Sequence, residues 1–342
     1  MLEGHGDDIG KYKNIRANFS SNVLYGELNE GLLAHLQERI ATVTHYPEAD
    51  ARTVQADAAG AYGVLTDQVL VTNGATEAIY LTAQAFFGGS ATILTPTFAE
   101  YEDACRQFGL QVRLQSWETV KDGDLFSTDL VFICNPNNPT GSVFPYGRLK
   151  RLLDSNPQSL FVIDESYIEF TIRTTSVVFS LDKHTNVLVL RSLTKSCRIP
   201  GLRIGFVLGP SAQIALLRKL KMPWSVNQLA LEAAAYIFSH RQEPAFSLSA
   251  LLDATTVWWR ELASVLDWRI HPTHTHYFLM ETPATFTAAE LKLHLVNRYG
   301  LLIRDAANFR GLTPHHFRVA CQSSAQNQLL TEALYQCSQT GL

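Results

Sequence analysis

The chain has 342 residues, 46% hydrophobic and 18% charged, which is enough to bury a large core and unlike a disordered or fibrous protein. That length suits one large and one small domain. A formal net charge of −4 gives no electrostatic reason to expect nucleic acid or an anionic membrane as partner, so anionic ligands have to be held by local arginines.

The N-terminal Met-Leu-Glu-Gly-His-Gly-Asp-Asp lacks the basic and apolar regions of a signal peptide, and no apolar run approaches the length of a membrane span. From Gln68 onward, short β-branched runs alternate with helical patterns. The run 69–72 leads into Asn-Gly-Ala-Thr-Glu and an apolar helix over 78–87, with Gly88-Gly89 at its end. Further runs at 91–94, 130–134, 161–163, 187–190 and 204–208 are short, apolar and without clean alternation, as suits strands buried on both faces. The expectation is an α/β fold: a mostly parallel, seven-stranded sheet sandwiched by helices. Beyond about residue 250 the pattern changes to a long helix, a strand at 277–280, a helix at 288–299, strands at 301–304 and 317–320, and a last helix. That predicts a smaller α+β domain over 246–342, joined by an N-terminal segment 1–40, with the large domain over 41–245. No repeat or Pro/Ser-rich linker is present, so the domains should interleave. The five cysteines (105, 134, 197, 321 and 337) are odd in number and widely spaced, which fits a reducing, cytoplasmic interior better than a disulfide framework or a zinc site.

Each chemically suggestive cluster falls at the carboxyl end of a predicted strand: 73–77, 96–101, 135–141, 164–167 and 191–195. Lys195 closes Leu-Arg-Ser-Leu-Thr-Lys, and an amine in partly buried surroundings forms Schiff bases. Pyridoxal 5′-phosphate (PLP) is the cofactor this arrangement suggests. Gly74, Ala75 and Thr76 open a helix whose free N–H groups favour a phosphate. Ser192 and Thr194 add hydroxyls, and Arg203 adds a charge-assisted fork. Asp164 ends a buried apolar run, where a carboxylate needs a cation, and a protonated pyridine nitrogen would serve. Tyr167 and Asn138 could donate to the phenolic oxygen, and Phe98 could stack on the ring. Singly, each has a plainer explanation: a surface lysine, a turn rich in Pro and Asn, a well-capped helix start. Their joint occurrence in this order is what points to a site.

The series Asn-Gly-Ala-Thr-Glu, Pro-Thr-Phe-Ala-Glu-Tyr, Asn-Pro-Asn-Asn-Pro-Thr-Gly, Asp-Glu-Ser-Tyr, Ser-Leu-Thr-Lys and Gly-Leu-Arg-Ile-Gly resembles the fold-type I PLP enzymes of the aminotransferase class I/II group, from about residue 18 to 332. The resemblance implies a homodimer with the active site at the subunit interface and catalytic roles for Lys195, Asp164 and Tyr167. By the same resemblance Tyr46 would reach the cofactor phosphate of the neighbouring subunit, and Arg318 would grip the substrate carboxylate. Within the group the chain looks most like the threonine-phosphate decarboxylases and the histidinol-phosphate aminotransferases. His5-Gly6, Leu190–Lys195, Ile199–Arg203, Met222–Asn227 and Leu302–Asn308 favour the former. This implies a small phosphorylated amino acid as substrate, with His5, Asn138, Arg304 and Arg318 binding it, and decarboxylation to (R)-1-aminopropan-2-ol phosphate, a reaction of cobalamin biosynthesis. The alternative is amino transfer to 2-oxoglutarate at the same site. Two segments depart from the pattern: Ser196-Cys197-Arg198 after the lysine, and His274-Thr275-His276. The two histidines lack a clear third ligand, so no metal is expected.

Overall fold

The structure is a computed structural model that describes residues 8–241 and 246–342. Its strands are β1 (Ala17–Asn18), β2 (Val69–Thr72), β3 (Ser90–Thr95), β4 (Gln111–Ser116), β5 (Leu130–Cys134), β6 (Leu160–Asp164), β7 (Val187–Ser192), β8 (Gly205–Leu208), β9 (Tyr277–Glu281), β10 (Leu301–Leu302), β11 (Arg304–Asp305) and β12 (His316–Ala320). The helices are α1 (Glu30–Arg39), α2 (Arg52–Tyr62), α3 (Gly74–Ala85), α4 (Glu100–Gln107), α5 (Tyr146–Ser155), α6 (Ser211–Leu220), α7 (Gln228–Ser239), α8 (Leu248–Val265), α9 (Ala288–Tyr299) and α10 (Ser324–Thr340).

Strands β2 to β8 form one seven-stranded sheet in the order β2-β8-β7-β6-β5-β3-β4, parallel except for β8, which runs antiparallel to both β2 and β7. Alternate residues of strands β2 and β5 to β8 feed two cores. Val71, Ile133, Phe161, Val189 and Phe206 pack with α2, α5 and α7 on one face. Leu70, Phe132, Val162, Leu190 and Val207 pack with α3, α4 and α6 on the other. Burial on both faces is why these segments read as continuous apolar runs.

Strand β4 had no counterpart among the predicted runs. Gln111–Ser116 is polar and largely exposed because it is an edge strand with only β3 beside it. The strand predicted over 301–304 is two short pieces: β10 pairs in parallel with β1, and β11 pairs with β12. β9 and β12 carry one side of a third core, where Phe278, Met280, Phe317 and Val319 meet α8, α9 and α10. Ala17 and Phe19 enter this same core, which ties the N-terminal segment to C-terminal elements.

At the carboxyl edge of the large sheet, the ends of neighbouring strands lie side by side. Cys134 pairs with Asp164, while Gly205 stands between Ser192 and Thr72. One edge of the sheet therefore gathers loops that are distant in sequence.

Candidate active site

Along that edge lies a cavity of about 150 Å³ lined by Ala75, Thr76, Ile79, Phe98, Tyr101, Cys134, Asn138, Asp164, Ser166, Tyr167, Ser192, Thr194, Lys195 and Arg203. Ten residues named from the sequence for one cofactor thus face a single space. Helix α3 starts one turn earlier than its apolar pattern indicated, at Gly74, so the amides of Ala75 and Thr76 belong to its first turn. Intrahelical partners are lacking there, and the helix dipole favours an anion.

Close packing of backbones builds this corner. Gly74 has φ +74°, and a Cβ on it would lie 2.8 Å from Nη2 of Arg203. A Cβ on Gly205 would lie 2.7 Å from the amide nitrogen of Ala75. Strand β8 can therefore press against the start of α3 only because both positions lack a side chain. Arg203 is held in the left-handed region at φ +59°, and its Nη1 donates to the carbonyl of Pro200 at 3.0 Å. Across the corner the hydroxyls of Ser192 and Thr194 are hydrogen-bonded to each other at 2.8 Å.

Asp164 ends β6 and is buried. Its Oδ2 accepts from the Tyr101 hydroxyl at 2.6 Å, and its Oδ1 accepts from the backbone N–H of Ser166 at 2.9 Å. Among the described residues, no lysine, arginine or histidine is ion-paired to it. On the opposite side of the same two strands, Glu165 and Arg191 form a buried ion pair at 3.1 Å, with Glu169 also on Arg191. That network braces β6 against β7 behind the strand ends that carry Asp164 and Ser192.

Lys195 is half-buried in the turn after β7, its carbonyl accepting from the Leu24 N–H at 3.0 Å. Burial pushes the Tyr167 hydroxyl up to about 12, an effect partly countered by the positive Arg318, so the phenol stays a donor. Its ring stands edge-on to Tyr277 at 5.1 Å. Phe98 is half-buried on the cavity wall, edge-on to Tyr101.

Arg318, on β12, is buried beside the cavity rather than lining it, and donates through Nη1 to Oδ1 of Asn138 and through Nη2 to the carbonyl of Ser20. Arg304 is its cross-strand partner and is also buried. Burial, with the adjacent Arg318 charge, pulls the Arg304 guanidinium down to about 10, against the opposing pull of Asp305 and Asp8. Two guanidinium groups side by side in a buried place mark a position that favours anions.

The remaining predicted residues lie elsewhere. Tyr46 is 88% exposed, with its ring beside Trp224, and does not reach this cavity in its own chain. His5 lies outside the described residues. Arg198 turns away from the cavity, its Nε donating to the carbonyl of Tyr25. His274 and His276 sit in the bend before β9 rather than on a strand. His276 is fully buried, with Nε2 3.1 Å from the carbonyl of Asn22 and its ring 4.1 Å from that of Phe170.

Sequence reasoning assigned no role to Tyr101, Cys134 or Ser166. Tyr101 stood within the Pro-Thr-Phe-Ala-Glu-Tyr motif, but only the fold shows its hydroxyl crossing from α4 to Asp164. A larger, mainly apolar cavity of about 680 Å³ lies beyond the Lys195 loop, walled by Leu32, Tyr62, Leu193, Cys197 and Phe238 with Glu169, Arg191, Arg198, His240 and Arg241 also on its lining, and neither Lys195 nor Asp164 lines it.

The residues present fit PLP. A helix N-terminus with hydroxyls and an arginine offers donors for a phosphate, the buried Asp164 offers a carboxylate to a ring cation, and Lys195 supplies the amine for the aldehyde.

Residues 15–334 match the family described as aminotransferase class I and II. Among curated proteins, the chain is 32% identical over 338 residues to a threonine-phosphate decarboxylase of Salmonella typhimurium, covering 93% of this chain and 90% of that protein. It is 26% identical over 310 residues to a histidinol-phosphate aminotransferase of Methanosphaera stadtmanae, covering 87% and 83%. Among solved structures, the L-threonine-O-3-phosphate decarboxylase from Porphyromonas gingivalis superposes with a TM-score of 0.89 at 36% identity, over 94% of this chain and 98% of the other.

Proposed function

Because the chain belongs to the aminotransferase class I and II family, a family of PLP-dependent enzymes, we propose that it decarboxylates L-threonine O-3-phosphate to (R)-1-aminopropan-2-ol phosphate. The observation that carries the phosphorylated substrate is the Arg304–Arg318 cross-strand pair beside the cavity. One guanidinium suits a carboxylate and its neighbour a phosphate, so a doubly anionic amino acid relieves the repulsion between them.

When bound, PLP supplies an aldehyde for the substrate amine and a ring that takes up electrons from a bond broken at the α-carbon. Lys195 holds the cofactor and returns a proton to the α-carbon. Asp164, oriented by Tyr101 and Ser166, keeps the ring nitrogen protonated. Tyr167 and Asn138 would donate to the phenolic oxygen, and Phe98 would offer its ring to the cofactor ring. Gly74, Ala75, Thr76, Ser192, Thr194 and Arg203 cradle the phosphate. Arg318 and Asn138 hold the substrate carboxylate, with Arg304 and His5 on the distal phosphate. Which bond at the α-carbon breaks depends on how that carbon is oriented, so the two arginines select the reaction.

Tyr46 completes the phosphate cradle of a second copy in a homodimer. Its exposure, with that of Ile40, Val43, Met222 and Trp224, gives the chain an apolar surface suited to a partner. Among the described residues, no helix is long and apolar enough to cross a membrane. A second reading, amino transfer from histidinol phosphate, uses the same site with Lys195 as base and draws support from the aminotransferases among the relatives. The deciding experiment incubates the PLP-loaded chain with L-threonine phosphate, scoring CO₂ against 2-oxoglutarate-dependent glutamate. Gas release with little glutamate is expected; amino transfer without gas overturns the decarboxylase reading.

A further inference from the structure

Three adjacent extended segments of the β9–β12 sheet each place one metal-ligating side chain on the same face. Glu281 and His316 are direct cross-strand partners on β9 and β12. On the other side of β9, the segment 269–271 pairs through the Ile270–Met280 bridge, with His271 N–H donating to Leu279 and Glu281 N–H donating to Arg269. Nε2 of His271 lies 2.8 Å from Oε1 of Glu281, Nε2 of His316 lies 3.4 Å from it, and all three donor atoms lie within 4.8 Å of one another. We propose that His271, Glu281 and His316 form a site for a divalent transition metal ion of the zinc type.

The spacing fits. Tetrahedral zinc with bonds of about 2.0–2.2 Å separates its ligand atoms by roughly 3.3 Å, so the cluster closes on an ion with sub-ångström shifts. Two imidazoles and one carboxylate are a donor set suited to zinc, and the side-chain exposures of 25%, 23% and 11% for His271, Glu281 and His316 leave a way in and room for water as fourth ligand. A second layer is present: Nδ1 of His316 is 2.9 Å from Oγ1 of Thr313, which can accept a hydrogen bond from Nδ1–H once Nε2 binds metal. The Thr313 N–H donates to the same nitrogen at 3.2 Å, so before loading the His316 proton sits on Nε2 toward Glu281, and an ion at Nε2 has to displace that proton and move the Thr313 amide off Nδ1. The competitor is Arg269, with Nη1 3.3 Å from the same Glu281 oxygen, but its side chain is 71% exposed and such pairs are weak.

The test uses the PLP-loaded chain without an affinity tag, dialysed against Zn²⁺ alone. One ion per chain is expected, with a rise in melting temperature on loading. H271A and E281Q should each weaken binding at least about tenfold and abolish that rise. R269A should tighten it by removing the competing cation, a gain that a purely structural cluster would not produce. H274A and C197S, at histidine and cysteine positions outside the cluster, should bind as the parent does. Binding that survives both H271A and E281Q unchanged, or no binding at all, overturns the site. Neither outcome bears on the catalytic reading, which uses none of these residues.

Discussion

The hydroxyl of Tyr101 donates a 2.6 Å hydrogen bond to Oδ2 of Asp164, reaching from the first turn of α4 to the end of β6. With the Ser166 N–H on Oδ1, it orients a buried carboxylate that has no ion-pair partner among the described residues. Y101F leaves Asp164 one donor short. Hydrogen bonds to charged groups contribute about 1.5–3 kcal/mol, so the variant should lose stability of that order while still binding PLP. D164N removes the charge itself, and its activity should fall on the order of 10²-fold with weaker cofactor retention. Thermal unfolding and absorbance titration with PLP separate the two effects.

The arginine pair predicts a split in substrate dependence. R318K replaces a two-pronged donor with a point charge and should lower kcat/KM by about 10²-fold for any amino-acid substrate. R304Q should raise KM for L-threonine phosphate by about tenfold or more yet leave whatever turnover unphosphorylated L-threonine supports unaltered. Steady-state kinetics on both substrates checks this, and equal losses on the two would remove Arg304 from the distal phosphate.

Gly205 is a position where a single methyl should disrupt a site it does not line. The added Cβ of G205A meets the Ala75 amide nitrogen at 2.7 Å and the Arg191 carbonyl oxygen at 2.9 Å, both backbone atoms that cannot rotate away. The expected cost is about 1–3 kcal/mol of stability, with PLP affinity reduced because the start of α3 is displaced. Urea unfolding of the chain with and without PLP measures both.

Burial, with the nearby charges of Arg318 and Lys195, pulls His276 down to about 3 from its ordinary 6.5. The unfolded chain therefore takes up a proton below pH 6.5 that the folded chain refuses. This contribution to stability is complete above pH 6.5 and is lost as pH falls toward 3. H276N, which keeps a donor toward the Asn22 carbonyl, should flatten the slope of stability by up to about 1.4 kcal/mol per pH unit. The comparison is between H276N and the parent from pH 6.5 to 4.5, so that Glu165, which burial raises above its ordinary value, contributes equally to both. Urea midpoints across that range supply the measurement, and an unchanged slope would mean that His276 is already charged in the fold.

Much of the site was legible in the chain because its chemistry is carried by residues next to strand ends. Lys195, Asp164, Asn138 and the start of α3 each follow a buried apolar run, and a parallel sheet brings such ends to one edge whatever their separation in sequence. Strand β4 was not legible, because an exposed edge strand carries no apolar signature. Tyr101 was quoted in a motif without a role, since nothing local says that a helical tyrosine will cross to another strand.

Sequence alone therefore determined the residue types at the strand ends and the alternation of strands and helices, because these depend on burial and short-range chain geometry. Only the tertiary structure decided which groups touch: Tyr101 with Asp164, Arg304 with Arg318, Gly205 with Ala75, and Glu281 with two histidines. Those pairings depend on strand order and register, which are settled by the packing of the whole chain and by no short stretch of it.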